Sequence, residues 1–208
     1  MLISRRALLI ALLVIGVALF SPIEEMAHAL ASAHMVQHLL LILVAGPLIA
    51  YAVRIQFAIE WLSPTVAWLL HTTTIWLWHA AGPYTAAVVN PIVHGAEHLT
   101  FLLTAVVFWS AVGIGRNPDG LGVLLVFGMA LQSVFLALLL TFAETPWYWV
   151  YEATTQAYGL DPLSDQQLAG VIMWVPAGLV YTGIGLALLL AWVRQHESAP
   201  QVARSSTP

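Results

Sequence analysis

The sequence predicts an all-α, polytopic bundle of about six transmembrane helices with both termini in the cytoplasm, and three observations lead there. First, 61% of the 208 residues are hydrophobic, only 8% are charged, and mean hydropathy is +0.88, whereas a soluble domain carries about 25% charged residues. A soluble fold of this length has too little interior to hide that much apolar surface, so the bilayer is the solvent. Second, apolar runs of about 20 residues, the length that crosses a bilayer core, fall near 4–21, 33–53, 64–81, 94–115, 120–143 and 166–193. Third, all six cationic residues are arginines, and six spans put every one on the same side. Arg5 and Arg6 precede the first span, Arg54 follows the second, Arg116 the fourth, and Arg194 and Arg204 the sixth. The positive-inside rule makes that side the cytoplasm.

The first span has two readings. Arg5-Arg6, the apolar run from Ala7 to Phe20 and Ala29-Leu30-Ala31 resemble the three parts of a secretory signal peptide. Glu24 and Glu25, in a long stretch between the run and the small residues, favour an uncleaved anchor, and cleavage would leave the other spans oriented as before. Ser4-Arg5-Arg6 also brushes the twin-arginine pattern. The second span opens with "HMVQH". The third is polar at His71, Thr72, Thr73 and Thr74, so that face turns into the bundle. The fourth opens with "HGAEH", and the fifth is one apolar run. Before the sixth stands "LSDQQLAG", where Ser164 and Gln167 have capping-box spacing, and Pro176 predicts a kink within it. Trp61, Trp78, Trp147 and Trp149 near span ends read as an aromatic belt. Residues 1–197 form a single transmembrane domain; 198–208, rich in Ser, Pro, Ala and Gln, form a disordered cytoplasmic tail. The absence of cysteine rules out disulfides, thiolate metal sites and a cysteine nucleophile.

The histidines are distributed as unevenly as the arginines. With this orientation seven of the eight lie in the membrane or at its outer face, together with Glu24, Glu25, Glu144, Glu152, Asp161 and Asp165; His196 alone is cytoplasmic. His34 and His38 are i, i+4 on one helix, as are His94 and His98, which sets both rings of each pair on one face about 5–6 Å apart. At a rise of about 1.5 Å per residue, both pairs and His79 reach a similar outer depth. A single such histidine is usually an interfacial residue bonded to water or backbone. Two pairs and a fifth ring at one level predict a metal site, and imidazole suits Cu, Zn, Fe and Ni. His71, about two turns deeper, is a deeper ligand, an orienting partner or a structural hydrogen bond between helices. Met35 and Met173 lie at the same outer level, where a thioether favours Cu(I), although a buried Met is more often packing.

"HGAEH" also matches H-x-x-E-H, which in inverted zinc proteases supplies two ligands and a base. Glu97 adjoins His98 and lies three residues from His94, beside the pair's face. A hydrolase would use it to activate zinc-bound water, but would need a third ligand and a substrate cleft. The second pair, His34 and His38, has no glutamate between its members, so metal holding is the common theme and Glu97 becomes a partner that orients an imidazole.

Together, "SAHMVQHLLLILVAGPLI" (32–49), "WLWHAAGPYTAAV" (76–88), "HGAEHLTFLLTAVVFW" (94–109) and "DQQLAGVIMWVPAGLVY" (165–181) resemble the polytopic CtaG-type assembly factors of cytochrome c oxidase, as distinct from the single-span copper chaperone that shares the name. The resemblance runs from about Ser21 to Trp192. It carries the family's histidine motifs onto His34, His38, His79, His94 and His98, and its acidic-amide motif onto Asp165 and Gln166. Family members often have a further span before the first one here, and a double proline where Gly46-Pro47 stands. The resemblance implies maturation of a haem-copper oxidase with copper as the metal handled. The expectation is a non-enzymatic chaperone in the bacterial plasma membrane, its metal site on the extracytoplasmic side. Its expected partners are oxidase subunits, a copper donor protein and the lipid bilayer, with no nucleic acid. Three alternatives stay open: a membrane cytochrome with His34 or His38 facing His94 or His98 across a haem, a metal-free assembly scaffold, and a zinc hydrolase built on His94, Glu97 and His98.

Overall fold

Several helices of this chain begin with a polar residue followed by proline. Ser21-Pro22 starts Pro22–Ala27, Ser63-Pro64 starts Pro64–His79, Asn90-Pro91 starts Pro91–Ala111, and Asp161-Pro162 starts Pro162–Arg204. In each the polar side chain accepts from backbone N–H groups of the first turn. The proline takes the first helical position, where its missing N–H costs nothing. The computed structural model describes residues 4–53, 63–113 and 119–204, with side chains to 197. In chain order its helices are α1 (Arg5–Phe20), α2 (Pro22–Ala27), α3 (Ala31–Leu39), α4 (Gly46–Val53), α5 (Pro64–His79), α6 (Ala81–Val89), α7 (Pro91–Ala111), α8 (Gly120–Thr141) and α9 (Pro162–Arg204). The all-α class is as the sequence predicts.

Four helical stretches among the described residues are long and apolar enough to cross a membrane: Ala31–Val53, Pro91–Ala111, Gly120–Thr141 and Pro162–Glu197. They correspond to the second, fourth, fifth and sixth predicted spans. The first and third are present as α1 and α5, each of 16 residues, about 24 Å at 1.5 Å per residue. Arg54, Trp61 and Arg116 lie outside the described residues. So do residues 205–208 of the expected tail, while the backbone of 198–204 continues α9.

The bundle is organised around α7, which packs on α4, α5 and α6, and around the long contact between α8 and α9, which also lies against α3. At Gly170 an added Cβ would lie 2.8 Å from the Ala137 carbonyl and strike Thr141, so glycine is what lets α9 approach α8. Trp109 is fully buried and stacks on Tyr181 of α9, with ring centroids 5.5 Å apart.

Two prolines shape the backbone next to the histidines. Pro47 has no N–H to give and its ring crowds the carbonyl one turn back. The preceding segment, Leu40–Ala45, responds as a π-helical turn in which the Gly46 N–H donates to the Leu41 carbonyl. The next bond of that pattern would run from residue 47 to Ile42, and proline cannot make it; the Trp109 indole N–H donates to the Ile42 carbonyl instead, at 3.0 Å. An added Cβ at Gly46 would lie 2.9 Å from that of Ala105, so the wound turn also presses closely on α7. Pro83 acts alike. It leaves the His79 carbonyl without an i+4 donor, α5 stops there, and the Tyr148 hydroxyl donates to that carbonyl at 2.9 Å.

Between α5 and α7 stands a further helix, α6, because the chain breaks at Ala80 and restarts. One expectation needs correction: the capping box of Ser164 and Gln167 does not form. Asp161 is the cap: it accepts from the Leu163 and Ser164 N–H groups at 3.0 Å each, and the Ser164 hydroxyl donates to it at 2.6 Å. Gln167 is drawn away to the Ala143 carbonyl, at 3.1 Å.

The Ile42–Trp109 bond gives a direct test. Trp109→Phe keeps most of the buried ring and leaves the Ile42 carbonyl unsatisfied, which costs about 1–3 kcal/mol. The expected outcome is a lower thermal unfolding midpoint in detergent, measured against a Trp109→Tyr variant as a second control for ring loss.

Candidate metal centre

Helix periodicity brings the two histidine pairs to one place. On α3, His34 and His38 are one turn apart with ring centroids at 4.4 Å; on α7, His94 and His98 are one turn apart at 4.2 Å. The pairs face each other, His34 to His94 at 5.2 Å and His38 to His98 at 5.7 Å. His79, at the end of α5, adds a fifth ring 5.6 Å from His38. Glu97 projects between the helices. Its Oε2 is 3.1 Å from His34 Nε2 and 3.9 Å from His94 Nδ1, and its Oε1 is 3.4 Å from His38 Nε2. All six residues are buried. The sequence placed Glu97 beside the His94–His98 face; the structure places it in the middle of the cluster, because α3 stands across from that side of α7.

The protons in this cluster do not suffice for its acceptors. The Tyr151 hydroxyl donates to the Ala27 carbonyl at 3.0 Å, so His34 must present Nδ1–H to the Tyr151 oxygen, 3.2 Å away. In a neutral ring that leaves the Nε2 lone pair directed at the Glu97 carboxylate. His79 donates Nδ1–H to the Ile75 carbonyl at 2.7 Å, which leaves its Nε2 bare. His79 Nε2, His98 Nε2 and both ring nitrogens of His38 and of His94 are buried without a hydrogen-bond partner, as is Glu97 Oε1. A buried polar atom left unmet costs about 1–3 kcal/mol, and a bound cation would meet these lone pairs together. His34, His94, Glu97 and His98 each offer one ligand atom, all within 4.8 Å of one another. Ligand atoms round a tetrahedral ion with bonds of about 2.0–2.1 Å lie roughly 3.3 Å apart, so the 3.1–3.9 Å separations at Glu97 suit an ion with little rearrangement. The donor set fits a metal.

An aromatic cap covers the cluster. The connection from α8 to α9 runs over it and buries Tyr148 and Tyr151. Tyr84 of α6 stacks on Tyr148 with ring centroids 3.8 Å apart, and its hydroxyl lies 3.2 Å from that of Tyr151. Burial raises both loop phenols above the ordinary tyrosine range, so they stay protonated and act as donors. Thr154 ties the same loop to α3's start by donating to the Ala29 carbonyl at 2.8 Å.

Asp165 and Gln166 hold the frame. Helix α3 has no side-chain cap of its own. Asp165 of α9 supplies one across the bundle, accepting from Ala31 N at 2.6 Å, Ser32 N at 3.2 Å and the Ser32 hydroxyl at 2.5 Å. A carboxylate there satisfies orphan N–H groups and complements the helix dipole. Gln166 Oε1 accepts from Trp147 N at 2.5 Å and so fixes the aromatic loop. The hydrogen bonds of the pair act on the position of α3 and of the cap.

The sequence matches the cytochrome c oxidase caa3 assembly factor family (Caa3_CtaG) over residues 5–195. The chain belongs to that family. No curated protein and no solved structure matches it. Within this assembly factor, His34, His38, His79, His94, His98 and Glu97 come together as one cluster. His71 does not join them: it donates Nδ1–H to the Thr104 hydroxyl at 2.8 Å and stacks on Phe108. Met35 and Met173 line a cavity of about 20 Å³ with His38 and His79, room for one water-sized occupant. Sequence reasoning left out Glu24 and His28, which the structure sets against His94, and the three tyrosines of the cap.

Asp165→Ala removes the cap of α3 and is expected to destabilise the protein by about 1–3 kcal/mol. Asp165→Asn, which keeps one acceptor, should recover about half. Thermal unfolding in detergent checks both.

Proposed function

We propose that this assembly factor binds copper at the histidine cluster and delivers it, without catalysis, to a subunit of cytochrome c oxidase. The observation that carries the reading is the convergence of five imidazoles on one buried carboxylate with most of their lone pairs unmet. Imidazole suits copper among the transition metals, and the thioethers of Met35 and Met173 beside His38 and His79 suit its Cu(I) state. Glu97 favours an ion over a haem: its carboxylate stands between the facing pairs, 3.1 Å from His34 Nε2 and 3.9 Å from His94 Nδ1, where a porphyrin would have to lie. Glu97 serves an ion better than a hydrolytic water, since its two oxygens are turned to His34 and His38.

The arginine distribution supports a site on the extracytoplasmic side of the bacterial plasma membrane, in a chain of six spans with both termini inside. There it takes copper from a donor protein and meets the oxidase subunit. Delivery is ligand exchange: each bond an acceptor makes replaces one to an imidazole, and the ion's charge is unchanged. The chain's own part is to hold the imidazoles as neutral donors, through the Ile75 carbonyl at His79 and the Tyr151 oxygen at His34.

Replacing both His94 and His98 by Ala removes two ligands at once. Loss of a partner that merely orients a ligand costs 10–100-fold in metal affinity, so this double change should weaken copper binding by more than about 100-fold. Competition with a copper chelator measures it, and oxidase from cells carrying the variant should be copper-deficient. Unchanged affinity would remove the cluster from copper handling.

A further inference from the structure

Above the buried cluster, α2 and the residue that caps its end present two more ligand-type side chains that the cluster does not use. His28 Nε2 and Glu24 Oε1 are 3.6 Å apart, and Glu24 Oε1 is 3.4 Å from His94 Nε2. The His28 and His94 rings lie 4.9 Å apart, and the three ligand atoms fall within 4.8 Å of one another. Both new residues are held in place. His28 Nδ1–H donates to the Val88 carbonyl at 3.2 Å, which leaves Nε2 as the lone pair facing Glu24. The Gln37 amide donates to Glu24 Oε2 at 2.5 Å and to the Ala18 carbonyl at 2.8 Å, which aims Oε1 at His94.

His94 belongs to both groups. Its Nδ1 faces Glu97 and its Nε2 faces Glu24. Side-chain exposure rises in steps along this line, from 0% at Glu97 to 6% at His94, 29% at Glu24 and 41% at His28. The far end opens into a groove of about 330 Å³ bordered by Phe20, Glu24, His28, His94 and His98.

We propose that Glu24, His28 and His94 form a second copper subsite, a rim station through which the ion passes between the buried cluster and an outside partner, with His94 as the shared ligand. A neutral imidazole has one lone pair, so His94 serves one station at a time. When Nδ1 ligates the inner ion, Nε2 carries the proton and donates to Glu24. When the ion moves out, Nε2 binds it and releases its proton to water in the groove. Nδ1 takes one proton from the same water, so the ring stays neutral and no proton is gained or lost overall. One shared ligand therefore moves a single ion between stations. No electron is transferred.

This inference rests on the copper reading, and the test separates the two. The full chain in lipid nanodiscs is loaded with Cu(I), and release to a Cu(I) chelator is timed in stopped flow. The variant is Glu24→Gln with His28→Asn, which keeps the hydrogen bonds to Gln37 and to Val88. His28→Asn alone, at the most exposed position, guards against misfolding. The expected result is one bound copper, as in the unaltered protein, with release slowed about tenfold or more. An unchanged or faster release overturns the rim station and leaves the buried site standing. Failure of the unaltered protein to take up Cu(I) overturns both.

Discussion

A carboxylate with no exposed surface, deep in an apolar bundle, is the constraint on which the rest of the structure turns. An ionised Glu97 cannot stay there unless cationic or proton-donating groups surround it. The chain supplies imidazoles from two other helices and from Glu97's own, and these are also the residues with unmet lone pairs. Carboxylate and imidazoles would be satisfied by the same thing, a positive charge between them. The cluster is therefore better explained as a binding site than as packing. A set of six side chains selected for packing would bury hydrocarbon.

Holding those rings at one point demands irregular backbone, and irregular backbone in a membrane must find donors within the protein. The chain answers with aromatic side chains. Trp109 takes the carbonyl left over by Pro47, and Tyr148 takes the one left over by Pro83. Both repairs lie beside the histidine helices, and both tie them to neighbours: Trp109 joins the π turn to α7, and Tyr148 joins the end of α5 to the aromatic loop. Asp165 completes the frame from α9 by capping α3. The acidic-amide motif and the histidine motifs thus belong to one device, the first holding the helix that carries part of the second.

Much of this was legible in the sequence. The i, i+4 spacing of His34–His38 and His94–His98 put each pair on one face, and counting rise per residue put His79 at their level; the structure joins all five. Apolar runs located the helices, four of which among the described residues are long and apolar enough to cross a membrane. Within one helix, however, Glu97 falls beside the histidine face, and only the position of α3 makes that side the centre. Glu24 sits on a six-residue helix and His28 is the residue that ends it, too short a stretch for periodicity to show. The tyrosine cap has no period at all. Other signals were present and unread: the four polar-proline pairs mark helix starts, and Pro83 stands four residues after His79, the spacing that ends α5.

Whether the isolated protein holds copper is the central question. Elemental analysis for copper, zinc and iron on the detergent-purified chain, after copper-replete growth, decides this. Near-stoichiometric copper with little zinc or iron is the predicted result. A protein isolated without metal that also declines added copper would contradict the account, and the buried histidines would then serve assembly by shape alone.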